Sequence, residues 1–319
     1  MNAAPPSASP SSGPAPYQVT RPPRSRFLSL RGLRYHAWEW GDAAQVTADR
    51  PSLVMLHGWA DIGASFQFVV DALAASENLE RHIIAPDWRG FGLSDASGSD
   101  AYWFADYLGD LDALIDALSP SAPVDLLGHS MGGNVAMSYA GTRPARIRRL
   151  IDLEGFGLPR TNPAQAPQRM AQWLDELKQP QAFKGFDDEA AVVRRLMANN
   201  PRLRPEFAAW LAPHWAAPGS DGRWHVRCDP AHKRVNAMLY RVDETLATWA
   251  AIEAPLLWVE GELTQMSQWW GERYQRAEFE ERLLRVRQVQ RHTLAGCAHM
   301  MHHDRPQALA EVLARFLAG

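Results

Sequence analysis

Cysteine is scarce in this chain of 319 residues: only Cys228 and Cys297 are present. Two thiols without framework spacing exclude a disulfide-stapled secreted scaffold and point to a reducing compartment. A charge bias is also missing. Lys and Arg total 33 against 36 Asp and Glu, a formal net charge of −3, and the basic residues are scattered. Neither nucleic acid nor a membrane surface is therefore an expected partner. No apolar run approaches the ~18 residues of a membrane span, and the N-terminus lacks the apolar core of a secretion signal. A soluble, cytoplasmic protein is expected. At this length a chain buries roughly three quarters of its unfolded surface, so no staple is needed.

The opening "MNAAPPSASPSSGPAPYQVTRPPRS" is rich in Pro, Ser and Ala. Residues 1–25 read as a disordered tail. From Phe27 to Trp40 the chain alternates around a Gly turn, the pattern of a β-hairpin. Short apolar runs follow, "SLVMLHG", "HIIAPDWRG", "VDLLGHS" and "LIDLEGFG". Segments 64–75, 101–118 and 132–142 lie between them and carry apolar residues at three- and four-residue spacing. This alternation predicts an α/β fold, a parallel sheet with helices on both faces. The rhythm returns with "APLLWVEGE", a helix over 270–286, "VQRHTLAG" and a final helix from Pro306 to Leu317. It stops between Gly157 and Ala250, a stretch too long for a loop and holding Trp173, Trp210, Trp215, Trp224 and Trp249. That stretch reads as a helical cap inserted into one core domain, with "DGRWHVRCDP" returning the chain to the core and carrying no chemistry.

Gly128-His129-Ser130-Met131-Gly132 is a G-x-S-x-G between an apolar strand and a helix. That context marks a nucleophile elbow. The sharp turn strains the serine backbone and lifts its hydroxyl above the first turn of a helix, where N–H groups and the dipole favour negative charge. A bare helix cap is the plainer alternative.

Four motifs in order, "MLHGWAD", "APDWRGFGLSD", "GHSMGG" and "GCAHMMHHDRP", resemble the α/β-hydrolase superfamily. The resemblance covers residues 27–318. It is closest to the capped serine hydrolases and esterases grouped with epoxide hydrolases, haloalkane dehalogenases and meta-cleavage product hydrolases. It implies a mostly parallel eight-stranded sheet with an inserted helical cap: core 26–156, cap 157–250, core 251–319. A serine at the elbow, in place of the aspartate of the first two groups, implies acyl transfer. The resemblance makes His299 the base, and the backbone N–H groups of Met131 and Trp59 the oxyanion donors. His57, Gly58, Trp59 and His129 are placed around the substrate pocket. His57 is expected to hold its loop, and His129 to pack beside the nucleophile without acting as base. His302 and His303 make "HMMHHD" faintly metal-like, but they read as solvated residues at a helix start. No metal and no cofactor is expected.

The acid is less direct. Many relatives carry it after the seventh strand in a G-x-x-D pattern, where this chain has Thr264. Others carry it one strand earlier, and Glu154 stands there, ending an apolar run where a carboxylate is costly unless its charge is used. Glu154 is assigned as the acid. Glu262 is the rival, and an ion pair of Glu154 with Arg160 or Arg241 the structural alternative. The expected reaction is hydrolysis of a small-molecule carboxylic ester through an acyl-enzyme. Carbon–carbon bond hydrolysis of ring-cleavage products is the nearest alternative, with Arg160 or Arg194 as the only candidate anchors. Thioester hydrolysis, perhydrolysis and a non-catalytic ligand-binding role are the others. Cys228 and Cys297 are expected to be inert, and a homodimer is an admissible assembly.

Overall fold

The computed structural model describes residues 17–75 and 81–319. Eight strands form one sheet: β1 (Arg24–Leu30), β2 (Leu33–Trp40), β3 (Leu53–Leu56), β4 (Ile83–Pro86), β5 (Val124–His129), β6 (Ile147–Leu153), β9 (Leu256–Gly261) and β10 (Val289–Leu294). Their spatial order is β1-β2-β4-β3-β5-β6-β9-β10. β2 runs antiparallel to both of its neighbours, and the remaining pairs are parallel. The first hairpin turns through Arg31 and Gly32, both at positive φ, which matches the twist of the strands it joins.

β3, β4 and β5 are buried along their whole length, as parallel strands covered on both faces must be. Helices Phe104–Leu118, Met131–Thr142, Val242–Ala250 and Arg276–Leu283 pack on one face, with Leu111, Val135, Trp249 and Phe279 in that core. Helices Gln67–Ala74 and Pro306–Ala318 cover the other through Val69, Val70, Leu309 and Leu313. The helix expected over 270–286 is interrupted. A short turn, Ser267–Trp270, stops at Gly271 with φ +54, and the helix proper runs Arg276–Leu283. No helix among the described residues is long and apolar enough to cross a membrane.

Between β6 and β9 lie helices Ala166–Leu177, Glu189–Asn199 and Pro205–Trp215, and a small ribbon of β7 (Ala216–Pro218) and β8 (Trp224–Val226). Val242–Ala250, at the end of this span, packs onto Met131–Thr142 so closely that a Cβ on Gly141 would lie 1.9 Å from the Thr248 carbonyl oxygen. Trp249 is thus a core residue, not a cap one.

Of the expected tail, residues 1–16 lie outside the described residues, and residues 17–25 are not a free tail. The Tyr17 N–H donates to the Glu206 carbonyl, and its ring meets Phe68 and Phe207 edge-on. Thr20 and Arg21 donate N–H bonds to the Asp71 carboxylate, and Arg24 opens β1. An aromatic ring that fills the Phe68–Phe207 seam outweighs the local Pro-rich composition.

Candidate active site

The parallel strands end at one edge of the sheet, and β5 delivers Ser130 there with φ +54 and ψ −114. So strained a serine persists only where its neighbours fix it. A Cβ on Gly128 would lie 2.2 Å from the Gly132 carbonyl oxygen, and one on Gly132 would lie 2.2 Å from that of Leu56. The two glycines let strand and helix pass this closely. The Ser130 N–H donates to Leu153 O and its carbonyl accepts from Asn134 N–H, locking the turn between β6 and the helix.

Glu154 follows β6 directly, with φ +57 and only 1% exposed. Its Oε2 lies 2.6 Å from His299 Nδ1, and its Oε1 accepts the Gly261 N–H at 2.7 Å. Both carboxylate oxygens are thus used by charge-assisted or backbone bonds, which offsets the cost of burial. Glu262 is turned elsewhere and accepts the Gly296 N–H at 2.9 Å. Arg160 pairs with Asp243 and Arg241 with Glu244, so neither reaches Glu154. The hydroxyl of Thr264 is buried without a partner among the described residues.

Ser130, His129 and His299 line one cavity of about 270 Å³ together with Gly58 and Trp59. Gly58 approaches so closely that a Cβ on it would sit 3.3 Å from Ser130 Cβ. The N–H groups of Trp59 and Met131 have no hydrogen-bond partner among the described residues, and Met131 is the first residue of its helix. Both donors remain available.

His57 is not a wall of this cavity, contrary to its expected place in the pocket. It is fully buried; its Nδ1 donates to Gly58 O and its Nε2 accepts the Trp88 N–H, while Trp88 Nε1 donates to His57 O. Burial holds its imidazole below the usual histidine range, so it is a neutral brace for the loop. His129 is also buried and held well below that range, first by desolvation and then by His302 and His299. Its Nε2 lies 2.8 Å from the His299 carbonyl oxygen. A carbonyl only accepts, so the proton is on Nε2.

His302 and His303 are not solvated; both are buried. The helical turn Met301–Asp304 tucks them toward Ser65, whose hydroxyl contacts His303 Nε2, and His302 Nε2 lies 3.5 Å from Asp61 Oδ2. Burial pushes His303 down to about 3. Burial opposes the Asp61 carboxylate, but His302, His303 and His57 together outweigh it and hold Asp61 below the usual carboxylate range. Asp61, His129 and His302 offer ligand atoms within 4.8 Å of one another. Two ligands ~2.1 Å from one zinc ion span at most ~4.2 Å, so that limit does not establish a closed shell. The signal sequence reading passed over was Asp61, in the same "HGWAD" as the oxyanion loop.

A second cavity, about 640 Å³, adjoins the first and is lined largely by residues of the insertion between β6 and β9. The two share Trp59, Ala60, Asp61, Asn199 and Trp215. Trp215 Nε1 donates to Ala60 O at 2.9 Å, tying the cap to the loop that carries Trp59. Arg223, Arg227 and Cys228 line the larger cavity, so the segment read as a plain return to the core forms part of a wall. Arg194 pairs with Asp188, and neither it nor Arg160 lines either cavity. Burial pushes the thiols of Cys228 and Cys297 up to about 12, which leaves both poor nucleophiles.

Downstream of Glu154 the chain is fastened to the core. Gly155 N–H donates to Asp152, Phe156 O accepts the Tyr274 hydroxyl, Gly157 N–H donates to Asn134, and Leu158 O accepts from Arg282. Where the cap begins and ends, Thr161 Oγ1 donates to Tyr240 O.

A mostly parallel eight-stranded sheet with a serine on a strained strand-to-helix turn is the architecture of one class of enzymes. Residues 51–306 match the family model for the alpha/beta hydrolase fold, and the chain belongs to that family. A 3-hydroxybutyrate-oligomer hydrolase of Cupriavidus necator is 31% identical over 248 residues, 73% of this chain and 77% of that protein. The 2-hydroxymuconate semialdehyde hydrolase of Pseudomonas sp. strain CF600 is 26% identical over 280 residues, 83% of this chain and 86% of its own. Among solved structures, the thioesterase domain from the curacin biosynthetic pathway matches with a TM-score of 0.78 at 25% identity, covering 92% of this chain and 99% of that domain.

Proposed function

We propose that this hydrolase-family protein is a cytoplasmic serine esterase, with Ser130 as nucleophile, His299 as base and Glu154 as acid. The observation that carries the reading is the 2.6 Å contact of a buried Glu154 oxygen with His299 Nδ1, beside a strained serine on the same cavity wall. A carboxylate there keeps the proton on Nδ1 and frees Nε2 to accept the Ser130 proton. As the serine oxygen attacks the ester carbonyl, the developing oxyanion meets the N–H groups of Met131 and Trp59. Each such donor is worth about 3 kcal/mol in the transition state. His299 then gives its proton to the departing alcohol, and an acyl-enzyme remains. Water, deprotonated by the same imidazole, attacks the acyl carbon, and Ser130 leaves with the proton returned.

Relatives named as hydrolases of a 3-hydroxybutyrate oligomer and of 2-hydroxymuconate semialdehyde agree with hydrolysis as the reaction class. We take a carboxylic ester as the substrate class because one nucleophile, one proton shuttle and two oxyanion donors suffice for its cleavage. The test compares the wild type with Ser130→Ala on a short-chain nitrophenyl ester and a fluorophosphonate probe. Turnover and labelling in the wild type, both absent in the variant, are expected. A wild type inert to both would refute the reading in favour of a non-catalytic binding protein.

A further inference from the structure

The wall of the larger cavity carries Lys184, Arg195, Arg223 and Arg227 against two carboxylates, Asp61 and Asp187. Arg223 is neutralised by Asp187 at 2.9 Å. The side chains of Lys184, Arg195 and Arg227 form no hydrogen bond or ion pair among the described residues, and Arg227 Nε is buried without a partner. Elsewhere in the fold Arg81, Arg89 and Arg148 each meet a buried carboxylate, whereas no acid among the described residues pairs with Lys184, Arg195 or Arg227. A half-buried guanidinium with an unused donor, flanked by two further cations in a concave site, is a seat for an anion.

We propose that this cavity is an anion subsite that takes the free carboxylate of a substrate whose ester carbonyl lies over Ser130. The inference rests on the hydrolase reading for its orientation. The distribution of cations sets that orientation. Lys184, Arg195, Arg223 and Arg227 all line the larger cavity and no Lys or Arg among the described residues lines the small chamber around Ser130, while Asp61 lies on the wall of both. Of the other titratable groups nearby, His214 is kept below the usual histidine range by burial and then by Arg227, and burial pushes the Cys228 thiol up to about 12, so neither adds a competing charge; His225 is paired with Asp221. The apolar part of the wall, Phe91, Phe183, Phe186, Trp59 and Trp215, suits the carbon chain between ester and carboxylate. The preferred class is therefore a carboxylate-ended aliphatic ester, not a neutral one.

Binding to the full-length Ser130→Ala protein tests this without requiring turnover. Monomethyl adipate and methyl hexanoate, of similar length, are titrated against the intrinsic tryptophan fluorescence at low salt. The adipate half-ester is expected to bind at least tenfold more tightly, about 1.4 kcal/mol, and the gap is expected to shrink as salt rises. Arg227→Met should narrow the gap severalfold, and Arg227→Lys should restore part of it. The exposed pair Lys184→Met and Arg195→Met, made together, should narrow it without touching a buried residue. Equal or tighter binding of methyl hexanoate would overturn the subsite, as would a gap unchanged in both sets of variants. Failure of the esterase reading shows separately, as a wild type that turns over no ester whatever its binding preference.

Discussion

Replacing Glu154 by glutamine removes one negative charge and almost no volume. In the proposed mechanism the imidazolium of His299 forms against that charge, with Nδ1 2.6 Å from Oε2. The carboxylate is 1% exposed, so solvent cannot substitute for it. At an effective dielectric of ~20, two charges ~4 Å apart interact by about 4 kcal/mol. Loss of a triad acid by another route, the wrong-tautomer penalty, is about 10⁴ in turnover or roughly 5.4 kcal/mol. Both routes place Glu154→Gln between about 10³ and 10⁴ below wild type in kcat for a nitrophenyl ester. The amide oxygen can still accept the Gly261 N–H, so the fold should persist, and thermal unfolding serves as the control. Glu262→Gln, which only loosens a bond to Gly296, should stay within about threefold. A Glu154→Gln enzyme within tenfold of wild type, or a larger loss in Glu262→Gln, refutes the assignment of the acid.

Further outcomes follow from buried charges nearby. Burial raises Asp152 to about 8, with the Gly155 N–H working against the shift and Glu154 adding to it. Between pH ~4 and ~8 the unfolded chain has lost a proton the native chain keeps, so this group's stabilising contribution falls as pH rises through that window. Asp152→Asn should thus gain on wild type by up to about 4 kcal/mol between pH 5 and pH 8 in urea unfolding; a constant difference would contradict the raised pKa. Asp110 accepts from Arg89 Nε, Arg89 Nη2 and the Tyr35 hydroxyl. Asp110→Asn leaves Arg89 only the partly exposed Asp106 and weakens three charge-assisted or hydroxyl bonds. It should cost about 2–3 kcal/mol in chemical denaturation, whereas Asp243→Asn, at an exposed pair, should leave the unfolding midpoint nearly unchanged.

Much of this site could be read from the sequence because it is local. The elbow glycines act within two residues of Ser130, and an apolar run that ends in Glu154 asks for a partner before any partner is known. The hairpin and the alternating strands were visible for the same reason, since period and turn chemistry are short-range. What escaped depends on distant parts of the chain. His302 and His303 look like solvated residues until Ser65 and Asp61, more than two hundred residues away, are brought against them. His57 looks like a pocket residue until Trp88 takes both its ring nitrogen and its carbonyl. Arg195 and Arg227 stand in stretches without a motif and come to one cavity wall only in the folded chain. Tyr17 belonged by composition to a tail, and only the ring pair Phe68 and Phe207 gives it a place.

The fastening of Gly155 through Leu158 separates two kinds of freedom. Four successive residues bound to the core stand between Glu154 and the helix Ala166–Leu177, so the carboxylate is positioned by the core alone. The insertion between β6 and β9 is cross-tied at its base by Thr161 and Tyr240 and seated on the core through Trp215 and Phe207. Side chains lining its cavity can then change what is bound while Glu154 stays in register.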